Sequence, residues 1–354
     1  MDVLRCIAVL MVLFRHIGRE RLDLPAWLRP TVGWLHMIGW AGVDFFFVLS
    51  GFLVSGLLFR EWRRHGSLAP GRFLLRRALK IYPGFWVFLA FELAYRLWRH
   101  FPVEWERFGA EFFFVQNYLP GLLGHTWSLA VEEHFYLLLV AALWAAARRR
   151  SGVADPFRWL PWAAVVIVVG SLVARWLTLR WHGVELYLTH LRLDAFAWGT
   201  LLAYAYHFHG ERLGGALAGR TPWLLATAAV CLSPTLTTGT VENGFLYVFG
   251  LTGNLFAFGL ILLVVRYREA SIGSERGLMM RLAARIGGAS YAIYLWHLTW
   301  KVRVDFQVIP HTGPVLGLAI YLGGSVVVGL LMTWLVEWPV LRLRERFFPS
   351  RAAA

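Results

Sequence analysis

The sequence is poor in what a soluble or secreted protein relies on. Only two of its 354 residues are cysteines. Cys6 and Cys231 both lie inside apolar runs without paired spacing, so neither a disulfide framework nor a metal site is expected. Charge is scarce, at 16% of residues against 58% hydrophobic, and a mean hydropathy of +0.56 is more apolar side chain than one soluble core can hide. Acidic residues are scarcer still, 21 against 35 basic. That excess forms no basic stripe; it falls in the short connections between apolar runs, which argues against nucleic acid and is the topology signal of a membrane protein. No internal repeat, low-complexity tract or linker marks off a soluble domain. The first apolar run carries Arg5 and Arg15 and is followed by no small-residue cleavage site, so no cleavable signal peptide is expected.

What is present in abundance is long apolar sequence. Stretches able to cross or nearly cross the hydrocarbon run over 2–18, 36–59, 81–100, 126–147, 159–178, 191–208, 223–238, 246–265, 287–301 and 315–336. The segment around Phe112–Gly121 is open between a re-entrant or interfacial helix and a plain loop. The expected fold is therefore an all-α integral membrane protein of about ten transmembrane helices, the membrane domain covering 1–340 and a short basic tail 341–354. Nineteen Trp and 26 Phe suit that solvent, because indole rings settle at the headgroup boundary. With the N-terminus inside, the inside connections carry 22 Lys and Arg and the outside ones ten. That asymmetry predicts both termini in the cytoplasm.

An ionised side chain at bilayer depth costs about 2.5–3.5 kcal/mol on insertion scales, so each needs a partner, a wet cavity or a function. Arg5 and His16 are eleven residues apart, about 16 Å of rise and three turns, and share one helix face. A hydrogen-bonded core histidine is the plain alternative for His16. In GVDFFFVLSGFLVSG, spacings of seven and four put Asp44, Gly51 and Ser55 on one face, fit for close helix packing or for function. Arg76, Arg77 and Lys80 gather at the start of a helix within REWRRHGSLAPGRFLLRRALKIYP, where anionic lipid or the phosphates of a nucleotide-like cofactor would suit them. In TWSLAVEEHFY, Glu132 and Glu133 are adjacent and point about 100° apart, so one can serve chemistry while the other holds a neighbour. Arg192 is a candidate cation for them, and Asp194 points to the opposite side. Ser290, Tyr294 and His297 form one polar stripe on a membrane helix, and Glu337 can pair with cytoplasmic arginines. Arg5, Arg76, Arg77, Lys80 and Glu337 fall on the cytoplasmic side by depth, Asp44, Glu132, Glu133, Arg192 and Asp194 toward the outside, and His16 and His297 between.

Together these segments resemble the acyltransferase-3 family of bacterial membrane O-acyltransferases. LRCIAVLMVLFRH resembles its Arg-x10-His signature, GVDFFFVLSGFL its second-helix motif, RRALKIYP its basic cytoplasmic element, WSLAVEEHFY its Trp-Ser-Leu-x-x-Glu-Glu motif and SYAIYLWH its late His motif. The resemblance covers nearly the whole chain, in the family's order. It departs in Lys80, where Arg is usual, in His134, where Gln is common, and in Thr299, where a Pro often stands. It implies a multi-pass protein of the bacterial inner membrane, in the stand-alone form without a fused extracytoplasmic domain. It also implies that His16 is the essential histidine with Arg5 its partner, and that Arg77 and Lys80 belong to the element that handles acyl-CoA.

The expected reaction moves an acyl group, acetyl foremost, from cytoplasmic acyl-CoA to a hydroxyl of a sugar, glycan or small-molecule acceptor. CoA phosphates would rest on Arg76, Arg77 and Lys80, and His16 would act as general base, its ordinary pKa of about 6.5 suiting neutral pH. Glu132 or Glu133 would orient the imidazole or the acceptor. His297 or Tyr294 would stabilise the developing oxyanion. Asp44, Arg192 and Asp194 would line the acceptor's approach from outside. Direct transfer and an acyl-histidine intermediate are both open. The rival from another class is a proton-coupled transporter or flippase relaying protons through the buried His and carboxylates; no inverted repeat or paired broken helices point to it.

Overall fold

The computed structural model describes residues 1–18, 23–150, 152–239, 243–268 and 277–352. Parts of the expected connections 19–35, 148–158, 239–245 and 266–286, and the last two residues of the expected tail, lie outside the described residues. The chain is a succession of helices, with no strand among the described residues. The first five are α1 (Asp2–Arg15), α2 (Arg29–Ile38), α3 (Ala41–His65), α4 (Pro70–Trp98) and α5 (Trp105–Phe112). They are followed by α6 (Trp127–Arg149), α7 (Leu160–Trp181), α8 (Leu193–Phe208), α9 (Gly210–Leu217) and α10 (Thr221–Thr237). The last are α11 (Leu251–Arg268), α12 (Leu278–Gly288), α13 (Ser290–Arg303), α14 (Ile309–Met332) and α15 (Trp338–Phe347).

Each of the ten apolar stretches forms a helix, but among the described residues five helical runs are long and apolar enough to cross a membrane on their own, or six if the α9–α10 pair, bent by 87°, is one span. The shortfall from ten has local causes. α1 and α8 have 14 and 16 residues, the first half of α4 holds Arg76, Arg77 and Lys80, and α13 runs on through α15 as one 58-residue run. Within that run Gly313 has φ 77°, a left-handed turn open to glycine, just before Pro314.

The spacing argument for α3 holds in three dimensions. A Cβ on Gly51 would strike the backbone carbonyl of Phe196 in α8, and one on Gly199 the carbonyl of Val48, so the two backbones touch at that crossing. One turn along, Ser55 and Thr200 hydroxyls are 2.8 Å apart. At the far end Asp44 meets Arg192. A side chain at Gly51 would force the helices apart, since the obstacle is backbone. Gly51→Ala is expected to cost about 1–3 kcal/mol, read as a lower midpoint of thermal unfolding in detergent; an unshifted midpoint would show that the crossing yields.

Candidate active site

A cavity of about 130 Å³ opens between α1, α3, α4, α6 and α13. Its walls carry Arg5, Arg77, Lys80, Glu132, Tyr136, Ser50, Ser128, Ser290, Tyr291 and Tyr294 among apolar side chains such as Phe46 and Leu129. Every lining residue except Val54 and Gly288 lies within one of the five motif segments quoted above. Residues as far apart in sequence as Arg5 and Tyr294 thus meet at one hollow.

Its basic wall is built on α1 and α4. Lys80 donates to Glu337 at 2.7 Å, a carboxylate turned inward by the wide helical turn Thr333–Glu337 and also bound by Thr333 at 3.1 Å. Glu337 therefore answers Lys80 rather than an arginine. Arg77 makes no hydrogen bond or ion pair among the described residues; its guanidinium lies 5.4 Å from the Tyr136 ring and 5.6 Å from that of Phe73. Arg5 pairs with Asp2 at 3.1 Å. Arg76 does not line this cavity; it is held by Glu345, at 2.8 Å, and by the Phe348 carbonyl.

The acidic wall comes from α6, and its two glutamates diverge as adjacent helix positions must. Glu132 faces the cavity and accepts from Ser50 at 2.6 Å and from Tyr136. Glu133 turns toward α4, accepts from Tyr82 at 3.1 Å, and keeps its other oxygen buried without a partner among the described residues. Neither touches His16, and Glu132 shares its hollow with Arg77 and Lys80 instead of an outer chamber of its own.

Behind the cavity lies a layer of histidines. The Tyr294 hydroxyl, on the cavity wall, is 2.5 Å from Ser128 Oγ and donates to the His125 carbonyl at 2.6 Å. His297, fully buried, has Nδ1 2.6 Å from the Tyr294 carbonyl and Nε2 3.2 Å from His16 Nδ1. His16 is the residue that ends α1, and its Nδ1 is 2.9 Å from the Val12 carbonyl. A carbonyl oxygen only accepts, so both Nδ1 atoms carry protons. His297 Nε2 is then a lone pair facing His16 Nδ1–H. The neutral His16 ring has its lone pair on Nε2, which has no hydrogen-bond partner among the described residues. His16 itself does not line the cavity; it is reached through Tyr294 and His297. His125 completes the layer, buried, with its ring 5.0 Å from that of His297 and its Nε2 3.1 Å from the Leu295 carbonyl.

Asp44, Arg192 and Asp194 stand apart from this cavity. All three are buried. Asp44 pairs with Arg192 and accepts from Asn254 at 3.0 Å, while Asp194 pairs at 2.7 Å with Arg175, which is completely buried and also bound to Thr252. Arg192 thus neutralises Asp44, not the glutamates. Sequence reasoning missed Tyr136, Ser50, His125 and Arg175. The first two were within reach, because Tyr136 is one helical turn beyond Glu132 and Ser50 lies in the α3 motif. The partners of His125 and Arg175 arrive from distant segments, and nothing local announces them. Among the described residues no group of His, Cys, Asp or Glu could hold a metal ion.

A family of acyltransferase domains matches residues 1–334. The chain belongs to the acyltransferase-3 family. Peptidoglycan O-acetyltransferase OatA of Listeria monocytogenes serovar 1/2a is 30% identical over 343 residues, covering 89% of this chain and 50% of the relative. A putative O-acetyltransferase of Staphylococcus aureus strain COL is 26% identical over 228 residues, 58% of this chain and 34% of the relative. The chain therefore spans half or less of these two. Exopolysaccharide production protein ExoZ of Rhizobium meliloti strain 1021 is 29% identical over 329 residues, covering 86% of this chain and 90% of that protein. No solved structure matches the chain. As an acyltransferase-3 protein, it contributes to one hollow residues from all five segments in which its kinship was legible.

Proposed function

We propose that this protein is a multi-pass membrane O-acyltransferase that moves an acyl group, acetyl foremost, from acyl-CoA to a hydroxyl of a carbohydrate acceptor. The observation that carries this reading is the convergence of the five motif segments on one cavity with Arg77 and Lys80 at one wall and Tyr294, leading to His297 and His16, at another. The names of the Listeria, Staphylococcus and Rhizobium relatives, two O-acetyltransferases and an exopolysaccharide production protein, support the acetyl group and the carbohydrate class.

In this reading the basic wall faces the cytoplasm of a bacterial inner membrane. Pantetheine enters along Arg77 and Lys80, and Arg77, with no partner carboxylate among the described residues, supplies the open charge for phosphate. The thioester advances past Tyr294 toward the histidine layer, and the acceptor hydroxyl reaches His16 Nε2 from the other side. Nε2 takes the hydroxyl proton as the C–O bond forms. The C–S bond then breaks, and CoA thiolate leaves and takes up that proton. His16 becomes an imidazolium whose one Nδ1–H is shared between the Val12 carbonyl and the lone pair of His297, so the positive charge has built-in acceptors. Glu132 holds the cavity's shape through Ser50 and Tyr136.

Arg77→Gln is expected to raise KM for acetyl-CoA about tenfold, the range of one charge-assisted hydrogen bond, with a smaller change in kcat. CoA release by protein purified in detergent with a defined polysaccharide acceptor measures this. A KM within twofold of wild type would remove Arg77 from donor binding.

A further inference from the structure

Arg77 and Lys80 belong to a second cavity as well as the first. It has about 470 Å³ and lies between the start of α4 and the segment that contains α15 and residues 348–352. Four further arginines and the carboxylates of Glu61 and Glu345 surround it: Arg72 and Arg76 from α4, and Arg344 and Arg351 from the opposite wall. Positive charge is in excess. Glu61 is occupied, accepting the backbone N–H of Ala69 at 2.9 Å and pairing with Arg351 at 3.2 Å.

Glu345 is held differently. Arg76 reaches both its oxygens, at 2.8 and 3.2 Å, and Arg344 adds two bonds to one of them, at 2.7 and 3.1 Å. A carboxylate gripped by two guanidinium forks reproduces the donor arrangement that binds a phosphate. The two arginines are mostly covered, 16% and 18% exposed, whereas Glu345 is 50% exposed. The anion is the member that can leave while the cations stay. Beyond it the segment is tied by the Arg351 side chain to Glu61 and Ser67, and its backbone is held by Arg72, donating to the Pro349 carbonyl at 2.7 Å, and by Arg76, donating to that of Phe348. Both donors are groups that a phosphate would recruit.

We propose that this second cavity is a vestibule for the phosphates of the CoA nucleotide, and that Glu345 is an internal anion which those phosphates displace. Arg76 and Arg344 then exchange a carboxylate for a phosphate, and the backbone at Phe348 and Pro349 is released as Arg72 and Arg76 turn to the ligand, while Arg351 stays on Glu61. Arg77 and Lys80, shared by both hollows, carry the pantetheine arm inward. The inference rests on the acyl-CoA reading above and adds to it the residues of the nucleotide end and a latch that competes with the donor.

The test uses the full chain in phosphatidylcholine nanodiscs titrated calorimetrically with adenosine 3′,5′-bisphosphate, the phosphate-bearing end of CoA. Glu345→Gln is expected to tighten binding roughly threefold to tenfold, and Arg344→Gln to weaken it by a similar factor. Opposite shifts from adjacent positions cannot come from a damaged fold. A Kd within twofold of wild type in Glu345→Gln overturns the latch. Absence of fragment binding in these discs, with added phosphatidylglycerol retained more strongly by Glu345→Gln, assigns the arginines to lipid headgroups and overturns the vestibule. A wild-type protein that binds the fragment yet releases no CoA from acetyl-CoA sinks the reaction proposed above and leaves this site standing.

Discussion

Replacing His16 with alanine is expected to lower CoA release from acetyl-CoA by about 10²- to 10⁴-fold, the range supplied by a positioned general base. The size follows from geometry. The Val12 carbonyl fixes the Nδ1 proton, so the remaining lone pair of the ring that follows Tyr294 and His297 has one place to be, on Nε2. His297→Gln should cost less than His16→Ala, because it removes the acceptor behind the imidazolium and leaves the base. Its mark should be a loss concentrated in kcat with KM for acetyl-CoA little altered. Both variants must insert and elute as wild type for the comparison to count. Wild-type turnover in His16→Ala would end the proposed mechanism, whatever the cavity binds.

The positions of the helices were legible because a bilayer demands long apolar runs, and all ten runs read from the sequence are helical. How many cross unaided was not, since α1, α4 and α8 are short or charged and depend on neighbours for cover. The α3 face was readable because Asp44, Gly51 and Ser55 obey helical spacing, and each meets α8 or its N-terminal residue. Pairings across the bundle were not readable in that way. Arg192 looked like a partner for Glu132 because both sat toward one side by depth. In three dimensions the choice is made by which helix packs on which, and α8 presents Arg192 to Asp44. Arg76 and Arg77 look equivalent as neighbours in sequence. The turn of the helix sends one to Glu345 and the other to the central cavity.

Asp44→Asn is expected to destabilise the protein by about 3–5 kcal/mol, since it leaves Arg192 as an uncompensated charge in a buried site. Asp44 and Arg192 are 2% and 4% exposed, too covered for water to replace the lost carboxylate. The second pair, Arg175 with Asp194, belongs to the same buried cluster on α7 and α8, with Asn254 and Thr252 of α11 closing it. Charges this costly to insert are kept because they lock four helices, α3, α7, α8 and α11, in register through directional bonds that apolar packing in lipid cannot supply. Double replacement, Asp44→Asn with Arg192→Met, should recover a good part of the loss, because no lone charge remains. Thermal unfolding of the two single variants and the double variant in one detergent measures the coupling. An acceptor-binding role for the pair predicts the reverse pattern: single variants that unfold with wild type but need far more acceptor for half-maximal turnover. A cycle with no coupling in stability and a raised KM for the acceptor would return Asp44 and Arg192 to the substrate path.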